Sequence, residues 1–344
     1  MREFFLQTVS FGRTLRLARN VAVVVAGIAA LLALLFWRMW QIRGTIDQIH
    51  WPQSMVASEP SGVVTATWLG STTILFDDGE TQVLIDGAFS RVSALESLLF
   101  RRVRSDIATI NYAMSTFGIN RLAAIVPVHS HHDHAIDVAH VANRSTAVVL
   151  GSESTANIAR GGDVPVDQYQ ILADGETRQF GEFSIQLIAS RHAPIALDGE
   201  ELFPGVIQTP LRQPARIGEY RTGVAWSVVL THPRGTTLVQ GSAGFIEGKL
   251  DDIDADVVML SIAGLSGIGE EYTHKLWRET VSATDAIRVI AVHHDDFTAP
   301  FGEVRLLPDM LDRVIRTSGW IGALAESDGV AIELPPFGEP IVLY

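Results

Sequence analysis

The sequence contains no cysteine among its 344 residues. Disulfides, thiolate metal ligands and cysteine nucleophiles are therefore excluded. Charge is sparse, at 19% of residues, and unbalanced: 26 Lys and Arg stand against 39 Asp and Glu, a net charge of −13. Such a chain lacks the basic footprint that a phosphate backbone requires, so no nucleic-acid partner is expected. Aromatic residues are few, at 8%, yet hydrophobic residues reach 47%. That apolar content with so few charges excludes a disordered chain. No Walker A motif and no complete G-x-G-x-x-G run is present, so nucleotide binding through those loops has no support.

What is present begins with one long apolar run. Val21 to Phe36 carries no polar side chain, Trp37 extends the run, and Trp40 lies just beyond Arg38. A helix over 21–40 would rise about 30 Å at ~1.5 Å per residue, enough to cross a bilayer core. The tryptophans suit the membrane interface, and Arg38 can snorkel there. Arg2, Arg13, Arg16 and Arg19 precede the run, whereas only Arg38 and Arg43 follow closely. This bias predicts a cytoplasmic N-terminus and a bulk of the chain on the outer, periplasmic or extracellular, side. FWRMWQIRG offers no small-residue cleavage site, which argues against a removed signal peptide. The expected organisation is a cytoplasmic segment 1–20, a membrane anchor 21–40, a linker 41–60 running into SEPSG, and a single domain 61–344.

Within that domain, short β-rich runs alternate with helical stretches. Strands are predicted at 63–69, 72–76, 82–86, 122–128, 147–150, 183–189, 224–230, 236–240, 257–260 and 288–292. Helices are predicted near 93–117, 135–143, 153–160, 271–284 and 303–317. DGET at 78–81 and again at 174–177 reads as a hairpin turn in both places. The stretch 193–222, rich in Pro, Gly and Gln, reads as a long surface loop of the kind used for binding. The mixture predicts two sheets with helices packed outside them.

Four of eleven histidines fall within six residues, in HSHHDH at 129–134. Imidazole and carboxylate together suit zinc, iron or manganese. In an extended stretch, His129 and His131 face the same way and can grip one ion. Asp133 and His134 follow where the chain turns, and can reach a second. Other strands run into His192, into Ser242, and into His293 and His294. Donors delivered by several strand ends predict one crevice at the carboxyl edge of a sheet.

As a whole, the pattern resembles the metallo-β-lactamase superfamily. His129-x-His131-x-Asp133-His134 is similar to its H-x-H-x-D-H motif, Asp86 to its first motif, His192 to its third and His293 to its fifth. WLGSTTILFDDGETQVLIDG most resembles the branch of ascorbate-6-phosphate lactonase and N-acyl-phosphatidylethanolamine phospholipase D. The resemblance implies a four-layer αββα sandwich with a dinuclear site between the sheets. One ion, zinc by preference, would take His129, His131 and His192; the other would take Asp133, His134 and His293. Asp86 would orient a ligand imidazole. Asp133 would also orient the metal-activated hydroxide that attacks an ester, lactone or phosphodiester. The chain departs from the family where an Asp usually bridges both ions: Ser242, in GSAG, stands there. That leaves a hydroxide-bridged pair, a weak second ion or a single ion as alternatives.

Other readings of these residues compete. His294 rivals His293 for the fifth motif, and His274 is a surface histidine or a pocket residue. Asp295 and Asp296 are either support for the site or a solvated loop. QGSAG lies one residue from a nucleophile elbow, but FIEGKLDD after it does not read as the helix that an elbow needs. The expected protein is a membrane-anchored metal hydrolase acting on a small-molecule or lipid-like substrate. The alternatives are a non-catalytic metal-binding scaffold of the same fold and a β-lactamase-type amide hydrolase.

Overall fold

The computed structural model describes residues 2–57, 62–99, 101–196 and 198–344. In chain order the strands are β1 (Thr65–Trp68), β2 (Ile74–Asp77), β3 (Gln82–Ile85), β4 (Arg102–Val103), β5 (Leu122–Val126), β6 (Val148–Gly151), β7 (Tyr169–Ile171), β8 (Glu176–Phe180), β9 (Phe183–Ser190), β10 (Ala215–Arg216), β11 (Ala225–His232), β12 (Gly235–Gln240), β13 (Val257–Ser261), β14 (Arg288–Val292), β15 (Ala331–Glu333) and β16 (Pro340–Val342). The α-helices are α1 (Arg2–Gln41), α2 (Ala94–Leu98), α3 (Ile107–Thr116), α4 (His132–Ala135), α5 (Val138–Ala142), α6 (Glu153–Gly161), α7 (Leu265–Ile268), α8 (Glu270–Thr280) and α9 (Val314–Asp328).

Among the described residues the strands form two seven-stranded sheets, ordered β16-β1-β2-β3-β5-β6-β7 and β15-β14-β13-β12-β11-β9-β8, with β4 and β10 paired apart. Each sheet starts with antiparallel hairpins and continues with parallel strands, from β3 to β7 in one and from β12 to β15 in the other. Parallel pairing needs crossovers, and helices supply several of them.

Period-two alternation decides which face each side chain takes. Ala66, Trp68, Ile74, Phe76, Val83 and Ile85 meet Val228, Leu230, Met259, Ile290 and Val292 between the sheets. Their neighbours face outward. Leu75 and Leu84 pack with Ile110 and Ile136 under the helices of the first half. Val229, Val258, Leu260 and Val289 pack with Leu276, Trp277 and Ile321 under α8 and α9. Three apolar seams separate four layers, the αββα sandwich expected from the sequence.

Several expected elements differ in detail. The helix expected at 93–117 is two helices, α2 and α3, with β4 between them pairing with β10. The helix expected at 303–317 begins only at Val314, because Pro308 and its turn occupy the preceding stretch. DGET at 78–81 closes the β2–β3 hairpin, but DGET at 174–177 does not close one. It carries the chain from β7 of one sheet to β8 of the other.

The stretch expected as a linker lies against the domain where it is described. The Ser54 amide donates to the Leu334 carbonyl, Ala57 to Pro340, and Asp309 to Ile42. Residues 58–61, with most of SEPSG, lie outside the described residues. Within α1, the 24-residue stretch Ala18–Gln41 contains an 18-residue window of mean hydropathy 2.4, none of it buried. This excludes a buried core helix and leaves an apolar rod projecting from the domain.

Candidate metal centre

The histidine cluster sits where β5 ends and α4 begins. His129 lies in the bend after β5 and His131 in extended backbone, while Asp133 and His134 lie in the helical turn. The change of backbone divides the donors. His129 and His131 converge with His192, which follows β9, so that one donor atom from each lies within 4.8 Å of the others. Asp133 and His134 converge in the same way with His293, which follows β14. The two triads adjoin, with the His129 and His134 rings 4.0 Å apart.

Four of the five imidazoles are held from behind by a second group, and Nδ1 of His293 is buried without a partner among the described residues. Nδ1 of His129 is 2.9 Å from Ser242 Oγ, and Nε2 of His131 is 3.1 Å from Thr222 Oγ1. Nδ1–H of His192 donates to the Ala193 carbonyl at 2.8 Å, and Nδ1 of His134 is 2.7 Å from Asp86 Oδ2. These contacts leave Nε2 of His129 and Nδ1 of His131 converging to 2.9 Å. Nε2 of His134 and Nε2 of His293 approach the Asp133 carboxylate at 3.3 and 3.7 Å. Fixing the outer nitrogen in this manner sets ring orientation and tautomer for a metal ligand.

Asp86 is fully buried and serves several partners. Its carboxylate accepts from the Val128 amide and from the Thr72 hydroxyl as well as facing His134. Its φ of 59° and the 56° of His293 lie in the left-handed region, unusual for residues with a Cβ. Two strand ends are thus bent to aim their side chains inward, at a conformational cost typical of functional sites.

Burial sets the charge states. It pulls the His131 pKa down to about 3 and that of His192 to about 4, with the neighbouring histidines adding to the effect. Burial and the same neighbours also hold His129 well below its ordinary value. For His134 burial acts downward as well, but Asp133 and Asp86 outweigh it and raise the pKa to about 10. Burial would raise Asp133, yet His134 and His293 hold it well below the usual carboxylate range. The first triad is therefore neutral and ready to donate at neutral pH, and the second carries an ionised carboxylate.

The triads form the floor of a cavity of about 330 Å³, walled by Ile195, Leu202, Phe203, Ile268, Phe297 and Leu311. Ile195, Leu202 and Phe203 come from the stretch 193–222. That stretch is stitched down by the Ser130 amide, which donates to the Thr222 carbonyl.

The remaining predicted residues divide clearly. His293 joins the second triad, whereas His294 turns away and stacks on Trp68 at 4.7 Å. His132 belongs to neither triad, and its ring stands 6.5 Å from that of Tyr220. His274 is exposed on α8, paired with Glu270 at 3.8 Å, and does not line the cavity. Ser242 lines the cavity but faces His129. Gln240 and Gly244 close its loop, and no helix follows, so the nucleophile-elbow geometry is not met. Gly244 is required there, because a Cβ would collide with the Arg191 carbonyl. Asp295 accepts from the Ser71 amide, and Asp296 pairs with Arg43 and Arg305, so neither is a solvated loop residue. The supporting roles of Thr72, Thr222 and Arg43 were not foreseen. Asp137, buried and accepting from the amides of Phe89 and Ser90, is another such residue.

Solved structures share this architecture. An isothiocyanate hydrolase from Delia radicum gut bacteria is 16% identical with a TM-score of 0.50, over 81% of this chain and 99% of that one. CmlA, a diiron β-hydroxylase from Streptomyces venezuelae, is 13% identical with a TM-score of 0.50, over 83% of this chain and 55% of CmlA. YhfI from Bacillus subtilis, described as a metallo-β-lactamase fold protein, is 12% identical with a TM-score of 0.45, over 80% of this chain and 98% of YhfI. No protein-family model and no curated protein matches the sequence. The chain has the metallo-β-lactamase fold.

Proposed function

We propose that the protein is a membrane-anchored, metal-dependent hydrolase. The observation that carries this reading is the pair of adjoining triads on the floor of one apolar-walled cavity. The donor set fits resident metal. Three imidazoles, or a carboxylate with two imidazoles, leave an open position as catalytic zinc sites do, and four of the five rings are braced from the far side. We assign two ions per chain, zinc by preference, with His129, His131 and His192 holding one and Asp133, His134 and His293 the other. Iron is the main rival, and a diiron neighbour of the same fold keeps it in view.

When bound, such ions lower the pKa of water to near ~7 and polarise a carbonyl or phosphoryl oxygen. The chain's own groups do the rest. Asp133 accepts a hydrogen bond and orients the attacking water. Phe203 and Phe297 keep bulk water from the floor. Ser242, neutral and turned to His129, braces the site in place of a bridging carboxylate. The substrate class is an ester, lactone or phosphodiester, supported by the likeness of WLGSTTILFDDGETQVLIDG to the lactonase and phospholipase branch. Ala18–Gln41 is the anchor, and the arginine bias across it supports a domain on the outer side.

The test is metal content by plasma mass spectrometry on the full chain, purified in detergent without chelator, beside a panel of ester, lactone and phosphodiester substrates. About two ions per chain, with turnover lost in His131→Ala while circular dichroism is unchanged, is the expected result. About one ion would restrict the mechanism to a single triad. No metal in a folded, reconstituted sample would reject the reading. Full loading with no turnover on any substrate would favour a metal-binding scaffold, the second reading raised by the missing bridge.

A further inference from the structure

The cavity mouth and the end of the apolar helix are one connected piece of structure. The Asp309 amide donates to the Ile42 carbonyl at 2.9 Å, immediately beyond α1. Leu311, in the cavity wall, lies two residues farther on, at most about 7 Å along the chain. Arg43 reinforces the junction. Its guanidinium donates to Asp296 at 2.8 Å, to the Leu306 carbonyl at 3.0 Å and to the Trp40 carbonyl at 3.1 Å. One half-buried cation thus ties the last turn of α1 to Asp296 and Leu306, in the segment that leads to the mouth.

The rim itself is apolar and open to its surroundings. Leu311 is 49% exposed, Leu202 40% and Ile195 38%, and all three line the cavity. Three large aliphatic side chains around one opening form a patch, and such patches mark contact with another phase or partner. Arg313 and Arg316 are exposed just beyond Leu311, where cations can meet phosphate headgroups. Helix end, apolar rim and flanking arginines together fit a bilayer surface.

We propose that the cavity opens at the membrane surface and takes an amphiphile from the bilayer. Its apolar portion lies against Ile195, Leu202 and Leu311, and its polar head reaches the triads. This rests on the anchored metal hydrolase reading and adds where the mouth faces and which substrates enter.

The absence of cysteine makes single spin labels clean reporters. The full chain is reconstituted into vesicles of phosphatidylcholine with a minority of phosphatidylglycerol. Labels are placed through Leu32→Cys in the helix, Leu202→Cys and Leu311→Cys at the rim, and Val166→Cys, a 78% exposed site elsewhere on the domain. Relaxation by oxygen reports lipid contact, and relaxation by a water-soluble nickel chelate reports water. Oxygen should dominate at 32, 202 and 311, and nickel at 166. Nickel dominating at 202 and 311 with oxygen dominating at 32 overturns this inference alone. Nickel dominating at 32 overturns the anchor and the inference together.

A second measurement concerns the tail. Binding of alkyl hydroxamates, which chelate through the head, is followed on the metal-loaded chain from acetohydroxamate to octanohydroxamate. Affinity should rise up to about fourfold for each methylene buried against the rim, and Leu202→Ser should flatten the series. A flat series in the unaltered protein overturns the amphiphile. No binding by any member overturns the metal centre on which it depends.

Discussion

Ser242 Oγ and His129 Nδ1 stand 2.9 Å apart at the back of the first triad. The serine stands where the resemblance implies a bridging carboxylate, and it braces the His129 imidazole instead. Ser242→Ala is expected to leave the fold intact and to weaken metal binding about tenfold, the usual effect of losing such a brace. Titration against a fluorescent chelator measures this. An unchanged affinity would show that the contact positions nothing.

The corresponding brace of the second triad is Asp86. Asp86→Asn retains the shape and tolerates the left-handed backbone, but replaces a carboxylate acceptor beside His134. Dialysed protein should lose most of the ion held by Asp133, His134 and His293, an affinity loss of about 10- to 100-fold. Metal counts per chain equal to those of the unaltered protein would contradict this.

His293 and His294 are neighbours in sequence with opposite surroundings. His293→Ala should remove one ion per chain. His294→Ala should leave the count unchanged and lower stability instead, because it empties a stacked, buried place beside Trp68. A loss of metal in the His294 variant alone would reverse the assignment.

The metal-free protein should be sensitive to acid. His131 at about 3 and His192 at about 4 are neutral in the fold but protonate near ~6.5 when unfolded. The unfolded chain therefore binds more protons between these limits. Their stabilisation is complete above about pH 6.5 and is lost as pH falls toward 4. His134, raised to about 10, acts in a different window, where stability is lost as pH rises through that value. Thermal melts of chelator-treated protein should show a midpoint falling steadily from pH 6.5 to 4. A flat profile over that range would refute the account.

Arg43 joins α1 to the loop after β14 through Asp296, which has no exposed side-chain surface. Arg305 also pairs with Asp296, so removing Arg43 leaves that carboxylate partly compensated. Arg43→Ala is expected to cost about 1–3 kcal/mol in denaturant unfolding. A cost near zero would show that the junction is only a contact.

The layers of the fold were legible because alternation is local. Ile74, Leu75 and Phe76 announce an inner, an outer and an inner face without reference to anything distant. The members of the two triads were legible for the same reason: four of the six fall within HSHHDH, and the other two follow apolar strands. The supporting groups were not. Thr222 reaches His131 from 91 residues away, and Arg43 reaches Asp296 across 253. No local period encodes such pairings. The docked stretch 42–57 was hidden likewise, since its bonds run to β15 and β16 at the far end of the chain.

Each triad draws from both sheets. His129, His131, Asp133 and His134 follow β5 of one sheet, whereas His192 and His293 follow β9 and β14 of the other. Neither sheet by itself holds three donors of either set. An ion bound here would act as a cross-link over the central seam, and its binding free energy would be spent on keeping the two halves in register. At a hundredfold excess over its dissociation constant that contribution is about 2.7 kcal/mol. Metal starvation would then part the halves along Val228, Met259 and their partners before it melted either sheet, so that loss of activity and loosening of the core would be a single event.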